Sequence, residues 1–314
     1  MALRIIFCGT PAFAVPSLEQ LIAEPEFEIA GVVTQPDRPR GRDREVHGSP
    51  VKKAAVAAGI PVYQPAKIKL DEGFEYFGRL APDAVVIIAY GQIISQRLID
   101  IPRLGWINVH ASLLPKYRGA APINWAIANG EKRSGLTTMR IDAGLDTGPM
   151  LLNYETEIGA DETAPELTAR LANAAAPLIV ETLEKLDRGE ITPTPQDNSK
   201  MSLAPPLKKE DGRIDWSLDA RKIHNRIRGL QPWPGAFTTF RGKNCRIWGK
   251  PLRPVADGGA PGIILATQED GLLVICGGAT VLRVEQVQLE GRARVTDREF
   301  MNGARIEPGE RFGA

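Results

Sequence analysis

The run AVVIIAYG (84–91) constrains the fold more than any other stretch, because it is short, β-branched and apolar on both alternating faces. A strand with one wet face alternates polar and apolar residues, whereas a continuous apolar run belongs to a parallel sheet covered on both sides. LRIIFCG (3–9), FEIAGVVTQ (27–35) and GWINVH (105–110) read as companion strands. Helix patterns lie among them: AVPSLEQLIAE (14–24), with Pro16 in its first turn, and SPVKKAAVAAG (49–59), opened by Ser49-Pro50 and closed by Gly59. Such alternation predicts a doubly wound, mostly parallel, Rossmann-like α/β domain.

The pattern then changes. SGLTTMRID (134–142) and GPMLLNYETEI (148–158) read as an antiparallel pair around AGLDT, followed by an Ala/Leu-periodic helix over about 163–188 that ends at Gly189. ITPTPQDNSKMSLAPPLKKEDG (191–212), with four prolines before Leu207, has the composition of a linker. Beyond it come a basic helix, LDARKIHNRIRGL (218–230), and the short strands AFTTFRG, CRIWG, GIILATQ, GLLVICGG and TVLRVEQVQL. Short strands with Gly turns predict a smaller β-barrel of the oligonucleotide-binding (OB-like) type. At 314 residues two domains are expected. We place the first at 1–190, the linker at 191–207 and the second at 208–314.

Composition, 43% hydrophobic and 25% charged, excludes wholesale disorder and collagen-like or coiled-coil architectures. No run reaches the length of a membrane-spanning helix, and MALRIIFCGTPAF is broken too early for a signal peptide. Cys8, Cys245 and Cys276 are odd in number and lack metal-ligand spacing, so the expectation is a reducing cytoplasm and no metal. The net charge of +1 hides an asymmetry: residues 200–253 hold 13 basic against 4 acidic side chains, a balance of +9. That segment fits either a polyanion partner held at one face or a solvated linker and helix, and charge alone does not separate the two.

Open parallel sheets bind ligands at the C-terminal ends of their strands. Gly9 is followed by no glycine before Gly31, so the dinucleotide fingerprint is absent, and there is no phosphate-loop pattern. The strand ending in Asn108 and His110 offers other chemistry. Residues i and i+2 of a strand share a face, which puts a neutral amide donor beside a titratable imidazole. Acyl transfer to an amine needs both, a donor for the oxygen that gains charge and a group to move the proton. A lone histidine at a strand end is most often a packing residue, and an Asp in a glycine-bounded loop is usually a turn residue. Here Asn108, His110 and Asp146, the last flanked by Gly144 and Gly148, occur together.

FCGTPAFAVPSL, VVTQPDRPRGR, SPVKKAA, AYGQII, GWINVHASLLPKYRGAAPINWAI and DAGLDTGPM, in that order, resemble the methionyl-tRNA formyltransferase family. GRIDWSLDARKIHNRIRGLQPWPGAFT is similar to that family's second domain. The resemblance implies formyl transfer from 10-formyltetrahydrofolate to the α-amino group of methionine on initiator methionyl-tRNA, with Asn108, His110 and Asp146 catalytic. It assigns the folate pocket to Ser112, Leu113, Leu114 and Pro115, to Ile88, Ala89, Tyr90 and Gly91, and to Asp142 and Gly144. It assigns a tRNA contact to Arg42, to which the basic segment adds Lys208 and Lys209; the enzyme is expected to be cytoplasmic and, by default, monomeric. Two stretches depart from the family's usual pattern: DREV stands where a Lys-Lys pair is typical after Gly41-Arg42, and SKMSLAPPLKKEDG replaces a Tyr-Ala-x-Lys pattern. The same centre could serve a formyltransferase or hydrolase acting on a small amine or on water, which the basic second domain disfavours. A non-catalytic RNA-binding protein is disfavoured by the intact Asn-His-Asp set.

Phosphate contacts release counterions, so tRNA affinity is expected to fall steeply and log-linearly with salt. Filter binding across a salt series measures the slope, and a salt-insensitive affinity would contradict the reading of the basic segment.

Overall fold

The computed structural model describes residues 2–40, 45–252, 259–267, 271–307 and 309–313. The chain divides into two compact units: Met1–Pro122, Arg133–Glu157 and Leu167–Ala204 form the first, and Ile123–Lys132, Ile158–Glu166 and Pro205–Ala314 the second.

The first unit holds strands β1 (Leu3–Gly9), β2 (Phe27–Val33), a small β3 (Arg38–Arg40) and β4 (Glu45–His47) pair, β5 (Val62–Tyr63), β6 (Ala84–Ile88), β7 (Trp106–His110), β8 (Arg133–Arg140) and β9 (Met150–Glu157). Seven of them form one sheet in the order β5-β2-β1-β6-β7-β8-β9. Pairing is parallel from β5 to β7 and antiparallel for β7 with β8 and β8 with β9. All five residues of β6 are buried, as its unbroken apolar run requires. Helices α1 (Val15–Ala23), α2 (Pro50–Ala57), α3 (Asp71–Leu80) and α4 (Gln96–Ile99) belong to this unit. So does most of α6 (Ala164–Asp187), while α5 (Pro122–Ala128) clusters with the second.

Local signals account for several ends. Ser49 caps α2 by accepting from the Lys52 amide, with Pro50 at the first turn. The sheet's core joins Ile6, Cys8, Val33, Val85 and Ile87 to Phe77 of α3, whose ring stacks on Trp106 at 5.1 Å. α3 has no side-chain cap, and the reading of the sequence passed over it. Two strands stop earlier than the apolar runs suggest: β2 at Val33 and β6 at Ile88. Ala89 turns left-handed, at φ 48°, which ends extension there and leaves Ala89–Gly91 as a loop at the sheet's C-terminal edge.

The second unit is built on β10 (Phe237–Phe240), β11 (Lys243–Leu252), β12 (Ile264–Thr267), β13 (Gly271–Cys276), β14 (Thr280–Leu289) and β15 (Val295–Thr296), with α7 (Ala220–Gly229) and α8 (Asp297–Ala304). The sheet is antiparallel, ordered β10-β11-β14-β13-β12, with β15 on β14. The β10–β11 hairpin turns through Arg241 and Gly242, both with positive φ, the conformation that matches strand twist in a two-residue turn. Residues near the chain's end bridge the two outer strands of the curled sheet. Phe312 pairs with Phe240 and Arg311 with Ile263, and the Phe312 amide donates to the Gly262 carbonyl at 2.8 Å. Phe312 is fully buried against Trp216, Phe240 and Phe300. Among the described residues no helix is long and apolar enough to cross a membrane.

Phe312→Ala removes the ring that fills this closure. It is expected to cost about 3–5 kcal/mol in unfolding free energy, read as a lowered urea midpoint; a loss below about 1 kcal/mol would mean that the bridging segment does not hold the barrel shut.

Candidate active site

β7 carries Asn108 and His110 on one face to the C-terminal edge of the sheet, where the strand ends. His110 is 6% exposed, and its Nε2 lies 2.8 Å from the Tyr117 carbonyl oxygen. A carbonyl oxygen can only accept, so Nε2 carries a hydrogen, and in the neutral form of the ring the lone pair falls on Nδ1. Nδ1 faces Asp146, whose Oδ2 is 3.7 Å away, outside direct hydrogen-bond range and close enough to attract the ring once it is protonated. The same Oδ2 accepts from the Gly119 amide at 2.8 Å. One short stretch, Tyr117 to Gly119, thus fixes the imidazole through a carbonyl and the carboxylate through an amide.

The backbone there could not be built from ordinary conformations. Tyr117 has φ 60° and Asp146 φ 51°, in the left-handed region that non-glycine residues avoid. Gly119 sits at φ 120°, and a Cβ on it would lie 2.7 Å from the Ala204 carbonyl oxygen, so only glycine fits. Among the described residues no hydrogen bond engages the Asn108 side-chain amide, which stands half-buried beside His110. A free, partly desolvated donor next to a tautomer-locked imidazole is what a reacting carbonyl oxygen would meet.

The other residues named from the sequence take up several places. Ser112 is buried and donates to the Lys116 carbonyl at 2.6 Å, while Thr137 donates to the Ser112 carbonyl and accepts from the Leu114 amide. These bonds set the Ser112–Leu113–Leu114–Pro115 bend; Leu114 is buried, and Leu113 and Pro115 are partly so. Asp142 accepts from the Gly144 amide and the Thr147 hydroxyl, an Asx turn that shapes the loop leading to Asp146. Ile88 is buried at the end of β6, and the Tyr90 ring lies in the core, where burial pushes its hydroxyl far above its ordinary range. Its carbonyl accepts from Thr10 and Gln35. Ala89, Tyr90 and Gly91 line a cleft of about 490 Å³ together with Thr10, Gln35 and Gln92. In the second unit Lys208 and Lys209 are exposed; Arg42 lies outside the described residues.

Residues 3–183 match the formyl transferase family and residues 206–305 the formyl transferase C-terminal domain. The chain is 54% identical over 311 residues to the methionyl-tRNA formyltransferase of Solibacter usitatus (strain Ellin6076), covering 99% of each chain. It is 52% identical to that of Koribacter versatilis (strain Ellin345), covering 98% of each. The chain belongs to the methionyl-tRNA formyltransferase family. More distant solved structures share the fold alone. WlaRD, a sugar 3N-formyl transferase, superposes with a TM-score of 0.65 at 19% identity, over 93% of this chain and all of that one. HypX from Aquifex aeolicus in complex with tetrahydrofolic acid gives 0.62 at 17%, over 96% of this chain and 47% of that one.

Within this formyltransferase the groups beside His110 and Asp146 that sequence reasoning missed are the Tyr117 carbonyl and the Gly119 amide. Both are backbone atoms and leave no signature in side-chain type. The Gly in KYRGAAP was the one available signal.

The tautomer can be checked directly. The chain has three histidines, so ¹⁵N correlation spectra of histidine-labelled enzyme are sparse. A hydrogen on His110 Nε2 is expected; a ring protonated at Nδ1 with bare Nε2 would contradict the Tyr117 hydrogen bond.

Proposed function

We infer that this chain transfers a formyl group from 10-formyltetrahydrofolate to the α-amino group of methionine on initiator methionyl-tRNA, using Asn108, His110 and Asp146. The observation that carries the residue assignment is the unengaged Asn108 amide beside an imidazole whose open Nδ1 faces a carboxylate. The folate supplies the formyl group. Asn108 donates a hydrogen bond to the formyl oxygen, which gains negative charge as the amine adds, and a preorganised donor costs no rearrangement at that moment. His110 takes up the amine's proton at Nδ1, since Nε2 is committed to Tyr117. The imidazolium so formed sits 3.7 Å from Asp146, which stabilises it until its proton passes to the donor nitrogen as that carbon–nitrogen bond breaks and tetrahydrofolate leaves.

The loops at 88–91, 112–115 and 142–144 frame this strand end, and their carbonyls and amides suit the donor–acceptor edge of a pterin. On the second unit Lys208, Lys209, Arg213, Arg221, Lys243 and Arg246 are exposed and, among the described residues, make no ion pair. That surplus supports a phosphate-tracking surface. We place Arg42 at the acceptor end of the tRNA, by analogy with the family's motif. The enzyme acts in the cytoplasm as a monomer, a reading supported on the first count by three buried, unpaired thiols.

Formyl transfer to charged initiator tRNA, followed for wild type, His110→Ala and Asn108→Ala, tests the reading. His110→Ala is expected to lose about 100-fold or more in kcat, the loss of a general acid-base group, and Asn108→Ala about 100- to 1,000-fold, the loss of an oxyanion donor. Release of formate, or formylation of a small amine with none on tRNA, would leave the folate chemistry standing and remove the tRNA from it.

A further inference from the structure

Residues 194–204, whose composition reads as a linker, are bound against the active-site loops of the first unit. Thr194 and Met150 exchange backbone hydrogen bonds at 2.8 Å each. The Arg118 amide donates to the Ser202 carbonyl at 2.9 Å, and the Ala204 amide to the Arg118 carbonyl at 2.7 Å. Ser202 Oγ accepts from the Tyr117 amide at 2.9 Å, so this segment holds the residue whose carbonyl locks His110.

At its centre stands Gln196. Its Nε2 donates to the carbonyls of both Asp146 and Gly148 at 2.8 Å. Its Oε1 accepts from Arg118 Nε at 3.0 Å and Nη2 at 2.7 Å, and Nη2 also donates to Asn198 Oδ1 at 2.8 Å. Arg118 is 4% exposed, and among the described residues no carboxylate pairs with it. Burying a guanidinium is unfavourable unless its donors are met, and here Gln196 and Asn198 accept from it. The cation draws the amide oxygen of Gln196 to itself and turns the amine outward, polarised to donate, toward the loop. That loop contains Asp146, left-handed at φ 51°, a conformation that survives only where its surroundings over-determine it.

We propose that Gln196, oriented by buried Arg118, is the positioning residue that holds Asp146 in its strained conformation facing His110 Nδ1. The proposal rests on the catalytic reading of His110 and Asp146 above. Gln196 reaches the chemistry through Asp146, so removing its donors loosens the carboxylate without removing a substrate contact.

Two substitutions separate this role from simple support. Gln196→Glu keeps the length and an acceptor for Arg118 but replaces both donors with an oxygen facing two carbonyls; Gln196→Met keeps the volume and removes every hydrogen bond. Steady-state formyl transfer is measured for each full-length variant, with KM for folate and for tRNA, and with the thermal midpoint. The expected result is a fall in kcat of about 10- to 100-fold in both, as for an ångström-scale misplacement of a reacting group, with both KM values within roughly twofold; the midpoint is preserved in Gln196→Glu, whereas Gln196→Met, which strips two hydrogen bonds from buried Arg118, lowers it. Full kcat in either variant, raised KM with kcat unchanged, or activity lost only in step with folded protein in both would overturn it. Asp146→Asn, assayed alongside, tells the two readings apart. If it is as active as wild type, the catalytic reading fails; if it is inactive while the Gln196 variants turn over normally, only the positioning role does.

Discussion

The hydrogen bond from His110 Nε2 to the Tyr117 carbonyl, 2.8 Å long in a nearly dry pocket, settles which nitrogen of the ring is open for chemistry, and the rest of the site is arranged around that choice. In water a neutral imidazole exchanges tautomers freely. Here the carbonyl can only accept, so the other nitrogen is left bare toward Asp146. A ring turned over would set an N–H and a proton-accepting site in each other's places. Tyr117, whose carbonyl meets the ring, is itself left-handed at φ 60°.

The pattern extends to the neighbouring loops. Ala89 follows β6 and Asp146 lies in the loop after β8, and both, like Tyr117, have positive φ without being glycine. Such residues gather where structure over-determines them, and the C-terminal edge of a parallel sheet is the region where a rigid scaffold can do so. Buried β6 and β7 supply the rigidity; Ser112, Thr137 and Asp142 tie the loops to it with hydrogen bonds inside the bends. Of the side chains proposed as pocket formers, Ser112 and Asp142 thus bond to groups of their own bends.

In the second unit the excess positive charge is sorted by burial. Arg228 of α7 is buried and donates to the Gly159 and Glu162 carbonyls and to Asn225, so it holds the fold and is not part of an outer surface. Lys250 pairs with Asp161 and holds that carboxyl below its usual range, and Arg241 pairs with Glu310 in the same way. Trp216 is buried in the core, while Trp233, 52% exposed, faces solvent. A count of basic residues therefore overstates the charge presented.

The sequence by itself determined the architecture. Periodicity separates a strand buried on two sides, such as Ala84–Ile88, from amphipathic helices, and turn residues such as Gly242 locate hairpins, because these signals lie within a few residues of one another. It also determined that Asn108 and His110 share a face, since alternation along a strand needs nothing outside the strand. Their pairing with Asp146, 36 residues beyond His110 in the chain, was legible only through resemblance to a family. Tertiary structure alone decided the tautomer of His110, the amide that holds Asp146 and the seating of Gln196 by Arg118. Those depend on backbone atoms and on partners up to 78 residues apart, and the type of a side chain says nothing about which distant carbonyl or amide the fold will bring against it.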